Sequence, residues 1–395
     1  MPDWSRIHRE KRLTPWRLPL ALCSGIYGFG VRLRLGAYAT GISRRKSLPG
    51  FVVSVGNLTA GGTGKTPAVV MLARWAIDQG LRVAVLSRGY GAKGHQDILE
   101  VSDGQGSYAD MRVAGDEPSL IARAVPESPV IISRNRHRAG MYALNKFGSE
   151  FFILDDGFQH VQLNRDLNLV LMDATNPFGN GHLLPWGPLR EPVNQLCRAD
   201  AVILTRTCRG DVAGGRVSSA GYGVESANSG MQSGKGHVRQ DSACNMVESQ
   251  ETPAVLREKF ASTPVFRADH EPDSLVFPYS GTIYDPDFLR NRRVVGFAGI
   301  AHPQYFKKTL SELGADVVQF RRFRDHYLFK EKDVEELIYV KKAMGAHCLV
   351  TTEKDWMRID PVASRYGDLA YLTIRFRLLP GEDGVFRMIR DGLEK

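Results

Sequence analysis

The chain has 395 residues, 43% of them hydrophobic, enough to bury a sizeable core and to form two domains rather than one. A formal net charge of +9 favours an anionic partner, whether nucleic acid, a phospholipid surface or a phosphorylated substrate, without choosing among them. Five cysteines, Cys23, Cys197, Cys208, Cys244 and Cys348, are scattered with no Cys-x-x-Cys pair, which argues against a disulfide framework or a zinc site and suits a reducing compartment.

In chain order, the first predicted feature is a basic and apolar N-terminal segment, residues 1–48. Arg6, Arg9, Lys11, Arg12 and Arg17 precede an uncharged stretch from Leu18 to Val31, and Arg32, Arg34, Arg44, Arg45 and Lys46 follow it. The stretch is too short to span a hydrocarbon core of roughly 30 Å. Ala37-Tyr38-Ala39 mimics a signal cleavage site, but the phosphate-binding loop that follows argues against export. Apolar residues including Trp16, Tyr27 and Phe29 between basic flanks suit a segment lying in a membrane interface, ahead of a packed helical hairpin.

Residues 49–206 read as a phosphate-binding domain. Phe51 to Val55 is a short apolar run of the kind found in buried parallel strands. It leads into Thr59-Ala60-Gly61-Gly62-Thr63-Gly64-Lys65-Thr66, whose glycines let backbone N–H groups turn inward to an anion at the start of a helix. Lys65 can reach the β- and γ-phosphates of ATP, and the Thr66 hydroxyl can ligate Mg²⁺. The usual spacing asks for glycine at position 59, where this chain has Thr59.

Further strands are predicted over residues 82–86, 130–133, 151–154, 167–172 and 201–204, with helices over 67–79 and 118–125. Strands alternating with helices predict an α/β fold, a P-loop NTPase-like doubly wound parallel sheet. Phe151 to Leu154 ends in Asp155 and Asp156, placing a carboxylate at the sheet edge where it can hold Mg²⁺ or its water, with Gln159 and His160 following. Ser87-Arg88-Gly89-Tyr90 can offer Arg88 to a phosphate and Tyr90 to a ring, and reads equally as a glycine turn. Asp116 and Glu117 precede Pro118 at a helix start, where capping accounts for them as well as chemistry does. Asn135-Arg136-His137-Arg138 and Arg190-Glu191-Pro192 read by default as solvated surface.

From 210 to about 250 the composition turns to Gly, Ser, Gln and Asn, an insertion expected to be disordered, within a linker spanning 207–284. A second, smaller α/β (Rossmann-like) domain is expected over 285–374, with strands 293–297, 316–320, 348–351 and 370–376 and helices 303–313 and 332–344. The segment 375–395 is expected to pack back on the phosphate-binding domain. His326, beside Asp325 and three arginines, can serve as a proton acceptor near neutral pH or sit in a basic loop.

Taken in order, Gly56 to Pro67, Ser87 to Tyr90, Gly115 to Pro118, Asp155 to His160, Pro188 to Pro192, Phe297 to Ile300, Asp325 to Tyr327 and Thr351 to Asp355 resemble the tetraacyldisaccharide 4′-kinase family of lipid A biosynthesis. The resemblance covers nearly the whole chain outside the insertion. It implies transfer of the ATP γ-phosphate to the 4′-hydroxyl of a tetraacylated disaccharide 1-phosphate, at the cytoplasmic face of a Gram-negative inner membrane. It also implies a smaller C-terminal domain closing over the nucleotide, an Asp116–His326 pair activating the sugar hydroxyl, and Thr66, Glu117 and Gln159 attending Mg²⁺ with Asp155 and Asp156 close by. Arg88, Tyr90 and Arg190 are the candidate substrate contacts. ATP and Mg²⁺ are the expected cofactors, the lipid disaccharide and the membrane surface the expected partners, with neither nucleic acid nor an obligate protein partner. A membrane-associated P-loop switch ATPase is the alternative; proteins of that kind generally carry Lys before the paired glycines, where this chain has Ala60.

Overall fold

A continuous apolar strand sits at the centre of the molecule because both its faces are covered. In the computed structural model, which describes residues 8, 17–89, 97–206, 263–363, 366–381 and 383–394, β1 (Phe51–Asn57) is buried at every position. Tyr90 and the 210–250 insertion lie outside the described residues. Ahead of β1 runs α1 (Leu18–Ala39), opened by Pro19 in its first turn. After it come α2 (Lys65–Asp78), β2 (Val83–Ser87), β3 (Leu99–Asp103), the single turn α3 (Met111–Ala114), α4 (Asp116–Ala124), β4 (Pro129–Ile132), α5 (Arg136–Phe147), β5 (Phe151–Asp155), β6 (Leu167–Asp173) and β7 (Ala201–Thr205).

Beyond the insertion follow β8 (Val265–Phe277), β9 (Thr282–Tyr284), β10 (Arg293–Ala298), α6 (Pro303–Glu312), β11 (Asp316–Arg322), α7 (Glu331–Ala343), β12 (Cys348–Thr352), α8 (Glu353–Ala363), β13 (Leu369–Leu378) and α9 (Gly384–Leu393). Among the described residues, thirteen strands form one sheet in the order β11-β10-β12-β13-β8-β7-β6-β1-β5-β2-β4-β3, with β9 on β8. Pairing is parallel except at the β3 edge and along β8–β13 and β8–β9. The first three residues of β8 pair in parallel with β7, and the remainder runs antiparallel to β13, so one strand belongs to both halves.

Alternation along β1 divides the first half into two cores. Val53 and Val55 pack with Leu72 and Ala76 of α2 and with Val385 and Ile389 of α9. Val52, on the opposite face, packs with Phe152, Leu154 and Ala139 and Ala143 of α5. Thus the last helix of the chain shares the core of the first sheet half, and Trp75 stacks on Phe386. The second half has its own two layers, Leu310 and Phe306 of α6 on one face and Val334, Leu337 and Trp356 on the other.

Seven elements escape the sequence pattern, among them the single-turn α3 and the three-residue β9. Helix α5 begins where a solvated Asn-Arg-His-Arg surface is expected; the Asn135 side chain caps it and Gly148, at φ 65°, ends it. Arg136 is 2% exposed, so the surface reading of that residue is corrected. Strand β3 is a short edge strand, and α8 and α9 open on the polar runs Glu353-Lys354-Asp355 and Gly384 after Asp383. Strand β8 occupies part of the expected linker; Glu271, Pro272 and Asp273 interrupt its apolar pattern, and its register with β13 shifts there.

Candidate active site

The cleft of about 1870 Å³ between the two halves is lined by the 61–67 loop, Asp116, Glu117, Asp156, Arg190, His326 and Lys354. Its floor is the turn from β1 into α2. Gly61 and Gly64 hold φ of 123° and 85°, which only glycine adopts without strain, and a Cβ on Gly64 would come within 2.3 Å of His270. Thr59 pairs with Leu189 in an antiparallel bridge, and the Ala60 N–H donates to the Pro188 carbonyl at 2.6 Å. The loop therefore starts extended, a conformation that needs no glycine, which explains the departure at position 59. The buried Thr63 hydroxyl has no hydrogen-bond partner among the described residues.

Lys65 Nζ donates to Asn57 Oδ1 at 3.1 Å and stands 3.4 Å from Asp156 Oδ1. Asn57, the last residue of β1, in turn donates from its amide to the Thr59 carbonyl at 2.7 Å, so strand end, loop and lysine are one unit. Arg206 closes the far side: it pairs with Asp173 and donates to the Gly62 carbonyl at 2.7 Å, with its guanidinium 4.8 Å from the centre of the Tyr305 ring.

The two carboxylates after β5 part company. Asp155 is buried and accepts from the Ser87 hydroxyl at 3.0 Å. Burial pushes its carboxyl up to about 6, with the charges of Glu117 and Asp156 adding to the effect. Asp156, turned outward by a φ of 50°, accepts two bonds from Arg190 Nη1 at 2.8 and 2.9 Å. Burial works against its charge, but Lys65 and Arg190 outweigh it and hold the carboxyl below the usual range. Gln159 donates one amide N–H to the Asn57 carbonyl at 2.9 Å, which leaves its oxygen as the atom that can face a cation. His160 is pushed down to about 3 by burial and then by Arg136, Arg165, Arg88 and Arg34, so it is neutral.

Asp116 and Glu117 open α4, yet their carboxylates reach across the cleft, so capping does not account for them. Glu117 accepts from Lys354 Nζ at 2.7 Å. Asp116 Oδ2 accepts from Arg358 Nε at 3.1 Å and Nη2 closer still, with His326 Nδ1 at 3.3 Å. Burial alone would raise the Asp116 carboxyl; the His326 hydrogen bond and the charges of Arg358 and Lys354 hold it well below the carboxylate range. His326 stands 3.9 Å from its neighbour Asp325, so the closer acidic partner is Asp116. Among the described residues four non-glycines have positive φ, and three of them, Asp156, Arg206 and His326, line this cleft. Strain gathered at one place marks a functional site.

No cluster of three or more His, Cys, Asp or Glu side chains stands ready for a metal among the described residues. A nucleotide-bound Mg²⁺ does not require one, since phosphate oxygens and water fill most of its shell. The Thr66 hydroxyl and the Glu117 and Asp155 carboxylates are hard oxygen donors, and a cation beside the raised Asp155 would relieve its repulsion with Glu117. That donor chemistry fits Mg²⁺. Asp156 is already paired with Arg190 and Lys65.

Behind the cleft, α1 is fastened by its polar side. Ser24 Oγ donates to the Leu183 carbonyl at 2.8 Å, Tyr27 OH to the Arg190 carbonyl at 2.8 Å, and Arg34 to the fully buried Glu191 at 2.9 Å. Leu22, Ile26, Phe29 and Leu33, spaced at helical intervals, are each 65–69% exposed. The helix is thus apolar toward solvent. No described helix is long and apolar enough to cross a membrane.

Arg88, exposed at the end of β2, is not among the cleft-lining residues, whereas Arg190 is. Asn57, Ser87, Arg206, Lys354 and Arg358 are contacts that sequence reasoning missed. For Asn57, Ser87 and Lys354 the signal was present, each lying in a motif already singled out; Arg358 meets Asp116 across 242 residues of chain, which no local pattern encodes.

The family model described as tetraacyldisaccharide-1-P 4′-kinase matches residues 16–394. A tetraacyldisaccharide 4′-kinase of Syntrophus aciditrophicus is 40% identical over 393 residues, covering 98% of this chain and 97% of the relative. One from Geobacter metallireducens is 40% identical over 88% of this chain and 90% of its own length. The crystal structure of LpxK from Aquifex aeolicus in complex with ATP is similar with a TM-score of 0.70 and 30% identity, over 96% of this chain and 99% of that one.

Proposed function

Because the chain belongs to the tetraacyldisaccharide-1-P 4′-kinase family, we propose how its own residues perform that reaction. The enzyme is an ATP-dependent phosphotransferase that phosphorylates the 4′-hydroxyl of tetraacyldisaccharide 1-phosphate to give lipid IVA in lipid A biosynthesis. The loop from Thr59 to Thr66 cradles the triphosphate with its N–H groups, and Lys65, held by Asn57 and Asp156, offsets the charge of the transferring group. Phosphoryl transfer has a loose transition state, so positioning and electrostatics supply most of the acceleration. Thr66, with Glu117 and Asp155, would hold a Mg²⁺ ion, which would supply further neutralisation of phosphate charge.

Asp116 orients the sugar hydroxyl and accepts its proton, with His326 beside it. Asp156 holds Lys65 and Arg190 in register, and Arg190 faces the lipid headgroup. Residues 49–206 form the nucleotide-binding domain, and 285–374 the smaller domain that carries His326. The outward apolar stripe of α1, flanked by basic residues, lies in the interface of the cytoplasmic leaflet of the inner membrane, so that the acceptor reaches the cleft from the bilayer.

What supports this reading above all is that Lys65 and Asp116 line the same cleft, one at the nucleotide cradle and one opposite it. Purified protein incubated with γ-labelled ATP, Mg²⁺ and the disaccharide 1-phosphate in detergent micelles is expected to put label on the lipid. Hydrolysis of ATP with the lipid left unlabelled would overturn it in favour of a switch ATPase.

A further inference from the structure

Asp116 is held by a side chain that neither the motifs nor the family name brings forward. Arg358, on α8, is 3% exposed and uses its whole guanidinium. Nη1 donates to the Gly299 carbonyl at 3.0 Å and to Asp355 Oδ1 at 3.1 Å; Nε and Nη2 both donate to Asp116 Oδ2; Nη2 also stands 3.1 Å from His326 Nδ1. Asp355 is itself fixed, accepting from the Gly299 N–H at 2.9 Å and the Thr352 hydroxyl at 2.8 Å. The guanidinium is therefore anchored on the second half and presented to a carboxylate of the first.

We propose that Arg358 is a positioning residue of the phosphoryl transfer, which sets the orientation of Asp116 and its placement against His326. The proposal rests on the reading of Asp116 as the group that receives the sugar hydroxyl. A buried charge is retained only where hydrogen bonds and an opposite charge compensate it, and the Gly299 carbonyl, Asp355 and Asp116 do so here. The same guanidinium reaches both Asp116 and His326, so it fixes the separation of the two side chains, 3.3 Å between Oδ2 and Nδ1. A guanidinium on Oδ2 also fixes the carboxylate plane, leaving Oδ1 as the oxygen free to take the hydroxyl proton. Such a strongly paired carboxylate is a weak base, which suits a reaction whose nucleophile has to be aimed more than deprotonated.

The charged groups around Asp116 are Glu117 on its own helix, Asp325 and His326 from the loop after β11, and Lys354, Asp355 and Arg358 from α8. Removing the guanidinium takes away the hydrogen bonds by which the second half holds Asp116 Oδ2, so the carboxylate loses its aim at the acceptor while the nucleotide cradle, built from residues of the first half, is untouched. The loss therefore falls on kcat, and the KM for ATP stays near wild type.

The experiment compares kcat and the KM for ATP of the wild type, Arg358→Gln and Arg358→Lys, with far-UV circular dichroism on each. Arg358→Gln is expected to lower kcat about 10²-fold with the KM for ATP within about twofold of wild type, and Arg358→Lys to recover part of that loss, with kcat reduced about tenfold, since one ammonium cannot reach all three acceptors. Wild-type kcat in Arg358→Gln, or an equal change in kcat and KM, overturns the proposal. If the glutamine variant fails to fold, Arg358→Lys decides alone, and undiminished kcat in it overturns the proposal. Asp116→Asn separates the two readings: full turnover in that variant defeats the role of Asp116 itself, whereas lost turnover with wild-type kcat in Arg358→Gln defeats only the role of Arg358.

Discussion

The two ends of the cleft are assembled differently. At the nucleotide end, Asn57, Lys65, Asp156 and Arg190 all belong to the first half of the sheet and interlock around the end of β1. At the acceptor end, Asp116 and Glu117 of the first half meet Lys354 and Arg358 of the second, through ion pairs 237 and 242 residues apart in sequence. The first end is complete once its own core folds. The second exists only while the halves face each other, so nucleotide binding and acceptor activation are separable, and substitutions at the two ends should fail in different ways.

Lys65→Ala should have the largest effect, lowering kcat by roughly 10³-fold, because a charge aimed at the transferring group is lost. Its circular dichroism and thermal midpoint should stay near wild type; wild-type-like turnover would mean that the nucleotide end does not need its lysine. Asp116→Ala should lower kcat about 10²-fold while ATP affinity by isothermal titration changes far less. Equal loss in both quantities would erase the distinction between the ends and make Asp116 a binding group.

The remaining two expectations concern how the nucleotide half is held. Leu22→Asp combined with Phe29→Asp should weaken partitioning to anionic phospholipid vesicles about tenfold or more, given roughly 1.5–3 kcal/mol for each large apolar side chain buried. Unchanged sedimentation with vesicles would show that the stripe on α1 is not the contact. The smallest effect is a slope. The Asp155 carboxyl is raised from 3.8 to about 6, so its contribution to stability is fully present below about pH 4 and is lost as pH rises through 6. Denaturant melts without nucleotide should therefore show the wild type losing about 1–2 kcal/mol relative to Asp155→Asn between those limits. Parallel curves would mean that Asp155 is not strained by burial.

The same contrast governs what could be read from sequence. The nucleotide end was legible because buried parallel strands leave continuous apolar runs, and the glycines and acids that follow them mark strand ends; β1, β5 and the turn into α2 came through with boundaries within two residues. Asp116 and His326 were named through the family resemblance, while the residues themselves read equally as a cap and a basic loop. Arg358 was illegible, as was the partner of Lys354 within the run Thr351 to Asp355, since a charge on a helix looks the same whether it faces water or a partner hundreds of residues away. Arg136 misled for the same reason: a polar run beside Asn135 gives no sign that its guanidinium is buried against the Asp155 carbonyl, 3.4 Å away. Strand β8 was hidden by Pro272 and its acidic neighbours, at the place where its ladder with β13 slips.

That strand has a mechanical meaning. With its first residues laddered to β7 and the rest to β13, β8 joins the halves through peptide hydrogen bonds on both flanks instead of through a slack tether. Widening of the cleft must then be absorbed as torsion along a single extended spine, concentrated where the ladder is irregular, opposite Thr373. The gap between cradle and acceptor pocket is governed by wringing, not by swinging, and stiffening that one irregular stretch would lock it at a fixed width.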